Sequence, residues 1–266
     1  MERQLIAEEV RALRDKRGLT QDELARRIGF SQSTVKNIET GYRVPTREQA
    51  TLLDEALDTA GSLGRLEARI RAAPIAPGFR PFVAAEAEAR TLKTFEHTLV
   101  PGLLQTEDYA RTLVEGYPGL TRDEVAARVT AKMGRQVVLD TEEPPWLWAV
   151  IDEQVLHREV GGPEVMAAQL LKLAEFARRP RITIQVLSAA RAHAGLVGAF
   201  VIAELARQPT VAYLESVLGG QTVQDPAMVE TMAVVFDTIR TDAFSGGESL
   251  DLIEEGTRQW KQRIAS

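Results

Sequence analysis

Leu19-Thr20-Gln21-Asp22-Glu23-Leu24-Ala25-Arg26-Arg27-Ile28-Gly29-Phe30-Ser31-Gln32-Ser33-Thr34-Val35-Lys36-Asn37-Ile38-Glu39 carries two helix starts and one glycine stop. Thr20 and Glu23 stand as a capping box, in which hydroxyl and carboxylate each satisfy a free amide of the first turn. Leu19 and Leu24 occupy the positions of a hydrophobic staple, which sets the angle of chain entry. Gly29 ends this helix where a left-handed residue is wanted. Ser31 caps the next helix, with Phe30 and Val35 as its staple. Only three residues separate the two helices, so they cross steeply, the signature of a helix-turn-helix. A preceding helix over about Glu2 to Lys16 is predicted from Ile6, Val10 and Leu13 at helical spacing, with Gly18 ending it.

The helix after Ser31 carries the chemistry. At about 100° per residue, Val35 and Ile38 fall on one side and face the core. Ser33, Lys36, Asn37 and Thr40 then point outward, flanked by Gln32 and Thr34. Gln and Asn pair bidentately with adenine, Ser and Thr reach either base type, and Lys favours guanine or phosphate. A polar face alone is what any solvated helix shows. Three neighbours add weight to the base-reading alternative. Gln21 sits in the first turn of the capped helix, where outward amides suit a phosphate. Thr40-Gly41-Tyr42-Arg43-Val44-Pro45 brings a turn and a cation behind the reading helix. Arg14 and Glu39 are placed to pair beneath the turn, which fixes the helix angle more than it adds stability.

Charge is distributed accordingly. The formal net charge is −6, but residues 1–47 hold ten Lys/Arg against seven Asp/Glu, a net of +3, and the remainder is −9. A basic head on an acidic body suits a protein that presents one end to phosphate. Apolar residues make up 44% and charged residues 26%, as in an ordinary globular chain. No apolar run reaches the roughly 18 residues of a membrane span. The first residues lack a signal pattern, and the absence of cysteine removes disulfides and thiolate metal sites, so a cytoplasmic, nucleoid-associated protein is expected.

Residues Leu13 to Pro45, with Gly18-Leu19-Thr20-Gln21-x-Glu23-Leu24-Ala25 and Ser31-Gln32-Ser33-x-Val35-x-x-Ile38-Glu39-x-Gly41, resemble the Cro/repressor helix-turn-helix family, also called the XRE family. The resemblance runs position by position without gaps. It implies that Gln21 clamps phosphate, that Gln32, Ser33, Thr34 and Asn37 face base edges, and that Arg14–Glu39 braces the fold. It also implies a five-helix bundle, with further helices near 46–57 and 62–71 and with Leu52, Leu53 and Leu57 closing the core. Lys36 stands where the family has a serine or another polar residue, which assigns it to phosphate instead of a base. The DNA-binding domain is thus expected over 1–72.

Residues 73–81, with three prolines and a glycine, read as a linker. The body, 82–266, mixes helices and strands. Helices are predicted from the Thr121–Glu124 capping box to about Leu139, from Pro163 to about Arg178, from Asp225-Pro226 to about Ala243, and over about Glu248 to Ile264. Strands are predicted at Trp146–Ile151, Ile182–Leu187, Ala199–Leu205 and Val211–Glu215, the last two as a hairpin, with Thr91–Glu96 as an edge strand. The expectation is an α+β domain with a small, mostly antiparallel sheet.

Nothing in the body points to an enzyme, a cofactor or a metal. His97, His157 and His193 lack ligand spacing, and no phosphate loop or nucleophile elbow occurs. Trp146 and Trp148 share a strand face, which either lines a ligand pocket or anchors the core. The loop Ser188–Gly198, with His193, Gly195 and Gly198, is either a place for a partner's close approach or an ordinary connection. Val100-Pro101-Gly102-Leu103-Leu104-Gln105-Thr106-Glu107-x-Tyr109-Ala110-Arg111, Trp148-Ala149-Val150-x-Asp152-Glu153, Gly161-Gly162-Pro163-Glu164-Val165-Met166 and His193-Ala194-Gly195 are similar to segments of actinomycete WhiJ-like, antitoxin-like regulators. That resemblance implies a helix-turn-helix head joined to a body that works with a small partner protein encoded nearby. The expected protein is a homodimeric transcriptional regulator on a near-palindromic operator in double-stranded DNA, answering to that partner. The alternative is the same head with a small-molecule sensor as its body.

Overall fold

The computed structural model describes residues 2–72, 75–190, 192–216 and 219–265, in two compact units that divide between Pro77 and Gly78. Of the expected linker, Ala73 and Pro74 lie outside the described residues, and Arg80 and Pro81 already belong to a helix.

The first unit is a bundle of α1 (Glu2–Lys16), α2 (Gln21–Ile28), α3 (Gln32–Glu39), α4 (Arg47–Leu57) and α5 (Ser62–Ala72). Local chemistry explains the starts. Thr20 and Thr46 head full capping boxes, and Ser31 accepts from the Thr34 amide. Gly29 adopts φ 73°, the left-handed conformation that stops α2 at no steric cost. Asp54, a buried carboxylate, accepts from Leu63 N at 2.9 Å and Gly64 N at 2.7 Å, and so caps α5 from across the turn. Ile6, Val10, Leu24, Val35, Ile38 and Leu53 are fully enclosed at the centre, with Leu57 beside them and Leu52 at the margin. Each such side chain contributes about 1.5–3 kcal/mol through burial.

The second unit begins with α6 (Arg80–Ala87) and β1 (Ala89–Glu96), followed by α7 (Glu107–Glu115), α8 (Arg122–Arg135) and a 3-10 turn over Gln136–Asp140. There follow β2 (Trp146–Asp152), α9 (Gln154–His157), α10 (Pro163–Ala177) and β3 (Ile182–Leu187). The chain ends with β4 (Phe200–Leu205), β5 (Val211–Leu214), β6 (Gln221–Val223), α11 (Pro226–Asp242) and α12 (Gly246–Ile264). No described helix is long and apolar enough to cross a membrane.

The sheet corrects the expectation. It is a six-stranded mixed sheet in the order β3-β2-β1-β4-β5-β6, not a small and mostly antiparallel one. β1 runs parallel to β2, and β2 parallel to β3, while β4, β5 and β6 continue antiparallel. The strand expected at the edge, Thr91–Glu96, is central. Leu92 enters one core and Phe95 the other, so β1 is covered on both faces. The physical reason lies in the connections: each parallel strand is reached through a helical crossover, which a hairpin cannot replace.

Helices α10 and α12 cover one face, over Leu92, Leu147, Ile151 and Ile184, and Trp260 Nε1 donates to Leu156 O at 2.8 Å. Helix α11 covers the other, with Phe236 and Ile239 against Phe95, Val150 and Phe200. The β3 edge is closed by its own chain. Phe244 N donates to Val186 O, and Val186 N donates to Ser249 Oγ, both at 2.9 Å. A covered edge cannot recruit a foreign strand at those groups.

Candidate nucleic-acid interface

Helix α3 presents the outward face expected of it. Val35 and Ile38 have no exposed surface, while Gln32, Ser33 and Lys36 are exposed and Thr34 and Asn37 are half-buried. Ser31 organises the first turn: its hydroxyl lies 2.8 Å from Ser33 Oγ and 3.0 Å from Thr34 Oγ1. That places three hydroxyls where the free amides and positive dipole end of α3 also point. The end of the helix is closed by Thr40 Oγ1, which donates to Lys36 O at 2.9 Å. Arg43 N then donates to Asn37 O at 3.1 Å, folding the following turn back under the helix.

Two supports fix this face. Arg14 donates to Glu39 through Nε at 2.6 Å and Nη2 at 3.0 Å, a bidentate pair with both side chains nearly enclosed. Arg14 also donates to Leu19 O at 2.7 Å, so one guanidinium ties α1, the start of α2 and the end of α3 together. The Glu39 hydrogen bond, ahead of every other cause, raises the pKa of Arg14 above its ordinary value. Gln21 Nε2 donates to Glu39 Oε2 at 2.9 Å. Its amide is therefore oriented by the brace, and its second N–H and its carbonyl stay available at the surface.

Arg43 is held as well. Its Nη2 donates to Gln49 Oε1 at 3.1 Å, the same oxygen that accepts from Thr46 N at 3.0 Å in the α4 capping box. Gln49 had no assigned role in the sequence. Its place three residues after Thr46, the second half of a capping box, was the signal that marked it. Tyr42, beside Arg43, is 72% exposed.

The body's singled-out residues scatter. Trp146 stands half-exposed at the start of β2, with the Arg181 guanidinium 5.7 Å from its ring. Trp148 packs against the core beneath α11, under the Arg240 guanidinium at 4.3 Å. His193 lies elsewhere, its Nε2 3.4 Å from Asp152 Oδ2 and its ring edge-on to Phe95 at 5.6 Å. His97 stacks on the same Phe95 ring at 6.4 Å, whereas His157 is exposed. Among the described residues no three acidic or histidine side chains are grouped to hold a metal.

The loop around His193, of which Arg191 lies outside the described residues, packs inward. Gly195 is buried and would drive a β-carbon into the Phe95 ring, so glycine serves an approach within the chain, not one by a partner. The Val100–Arg111 segment is likewise internal. Gln105 Nε2 donates to Val100 O at 2.6 Å, Val100 N to Tyr109 OH at 3.3 Å, and Gln169 Nε2 to Leu104 O at 2.8 Å. These bonds fasten the loop before α7 to α10.

One group escaped the sequence entirely. Glu96 ends β1, Glu215 follows β5, and Lys132 approaches from α8. Burial, then the Glu215 charge, pushes the Glu96 carboxyl up to about 8, with Lys132 opposing. Burial also raises Glu215, and burial followed by Arg135 lowers Lys132.

Comparison with known families agrees with this division. A helix-turn-helix family model matches residues 10–62, and a domain of unknown function, DUF5753, matches residues 79–255. No curated protein matches the chain.

Proposed function

The chain belongs to the DUF5753 family and carries an XRE-type helix-turn-helix, the mark of a DNA-binding transcriptional regulator, and from that premise we propose how it reads and answers. Gln32, Ser33, Thr34 and Asn37 read base edges in the major groove. Gln21, Lys36 and Arg43 hold phosphates. The observation that carries this reading is the division of α3, with Val35 and Ile38 wholly enclosed and every outward residue polar and uncharged or basic.

The protein acts as a homodimer. Two heads take half-sites about 34–36 Å apart, one turn of duplex, on a near-palindromic operator. The body dimerises and receives the signal, which in the first reading is a small partner protein encoded nearby. Two features support it: β6 is an edge strand of the sheet, and α11 exposes Met228 and Val234. In the second reading the signal is a small molecule. Its support is Trp146 and Trp148, which share one face of β2.

Band-shift titration tests the reading head. Asn37→Ala costs about 1–3 kcal/mol at its cognate base and leaves random DNA nearly untouched. Equal losses on both DNAs remove Asn37 from base reading. Capture of the tagged protein from its native host, followed by operator titration with and without the captured species, tests the partner.

A further inference from the structure

Helix α11 carries a regular pattern on the side turned away from the sheet. Ala227, Thr231, Val234, Thr238 and Thr241 recur at intervals of four, three, four and three, so at about 100° per residue they share one narrow stripe. All five are exposed, and the stripe lies opposite Val229 and Phe236, which enter the core. At about 1.5 Å per residue it runs for about 20 Å along the helix. The alternation of three and four is that of a seam between two helices.

Ordinary solvation does not account for this face. Helix α12, of similar length, turns Asp251, Glu255, Arg258 and Lys261 to water. On α11 the exposed surface includes Met228 and Val234, and the 3-10 turn Ala194–Val197, which packs against α11, adds exposed Leu196. The stripe's threonines are no obstacle to covering it. Thr231 donates to Ala227 O at 2.9 Å, Thr238 to Val234 O at 2.9 Å and Thr241 to Asp237 O at 2.8 Å. Each hydroxyl proton is satisfied within the helix, so burial of the stripe strands no donor.

The flanks of the stripe select what covers it. Glu230 and Asp237 line one side, Met228 and Val235 the other. Both carboxylates are exposed, and neither makes an ion pair among the described residues. Arg240, one turn on from Asp237, lies over Trp148 instead. A second copy of the chain does not answer these charges. Two antiparallel copies of α11 would set acidic flank against acidic flank, and two parallel copies would set it against Met228 and Val235. We propose that the outer face of α11 docks an amphipathic basic helix of a partner protein, its apolar residues along the stripe and its Lys or Arg side chains against Glu230 and Asp237. Anchors at such intervals are how one helix recognises another, and the opposed charges fix partner and register. The site rests on the partner reading above and deepens it, by giving the chemistry of the contact.

The test titrates the full chain, by fluorescence anisotropy, against labelled helical peptides with leucine along one seam and either lysine or glutamate beside it. A scrambled lysine peptide of the same composition is the control. The lysine peptide should bind at least about tenfold tighter than the glutamate and scrambled ones. Glu230→Lys with Asp237→Lys should reverse the order of the first two. Asp251→Lys with Glu255→Lys, the same change of net charge placed on α12, should not. Val234→Asn should weaken the lysine peptide at least about tenfold while its tryptophan emission, to which Trp148 beneath α11 contributes, matches the parent. Equal binding of the scrambled peptide overturns the proposal, as does an unchanged order in the α11 charge reversal or full affinity in Val234→Asn. Loss of self-association by Val234→Asn in sedimentation also overturns it, because the face would then belong to a second copy. A protein captured from the native host that binds Val234→Asn as tightly as the parent refutes this site and leaves the partner reading standing. Failure to capture any protein, with the peptide preferences as expected, removes the partner reading and leaves the basic-helix preference of α11 in place.

Discussion

Arg14 and Glu39, twenty-five residues apart, meet in two hydrogen bonds at 2.6 and 3.0 Å with Glu39 almost wholly enclosed. Removing one partner strands the other as a buried charge. Glu39→Ala should therefore destabilise the head by about 3–5 kcal/mol. Replacing both, as Arg14→Met with Glu39→Leu, should restore most of that loss, because the desolvation cost disappears with the charges. All three tryptophans lie in the body, so urea unfolding separates the units. The Glu39→Ala loss should appear in circular dichroism and not in tryptophan fluorescence.

The head was legible because its signals are local. The capping box at Thr20, the Ser31 cap and the Gly29 stop each act within four residues, and each appears in place. The tie between Gln21 and Glu39 was not legible. It depends on two side chains reaching across the turn, and no spacing rule fixes that.

Gly195 offers a test of packing in the body. Its backbone lies against the Phe95 ring, between strands that bury the aromatic completely. Gly195→Ala should cost about 1–3 kcal/mol by overpacking, since ring and loop are both held. The change should shift the urea midpoint read by tryptophan fluorescence. An unshifted midpoint means the loop moves aside freely. Gly198, with open space at its β-carbon position, is the matched control and should tolerate alanine far better.

Five of the six strands were legible, all but the three-residue β6, but their order was not. Trp146–Asp152 and Ile182–Leu187 stand with the helix Pro163–Ala177 between them, and that succession calls for a parallel pair. Reading only the β4–β5 hairpin favoured an antiparallel sheet. Glu96, Lys132 and Glu215 were invisible for a different reason. Their perturbed chemistry arises from burial and long-range pairing, and sequence holds neither.

Lys36 and Arg43 should report phosphate contacts. Lys36 is exposed on α3, and Arg43 is steered by Gln49. Either alanine variant should weaken specific and random DNA alike, and each should flatten the plot of log affinity against log salt by about one unit. Loss confined to the operator would make the residue a base reader.

Glu96 predicts the pH profile of the body. Its carboxyl rises from 4.5 to about 8 on folding, under burial and the Glu215 charge, with Lys132 pulling the other way. Tyr109 faces it too, its own pKa raised chiefly by burial. The folded state thus holds a proton that the unfolded chain has released. Stability from this group is fully present below about pH 4.5 and is lost as the pH rises towards about 8, so it falls across that window. Glu215, shifted the same way, adds to the slope. Glu96→Gln cannot ionise and should flatten the profile, leaving the variant relatively more stable at pH 8 than at pH 5. Urea midpoints by tryptophan fluorescence at those two pH values check it, and an unchanged difference between them would mean that Glu96 is not shielded from water.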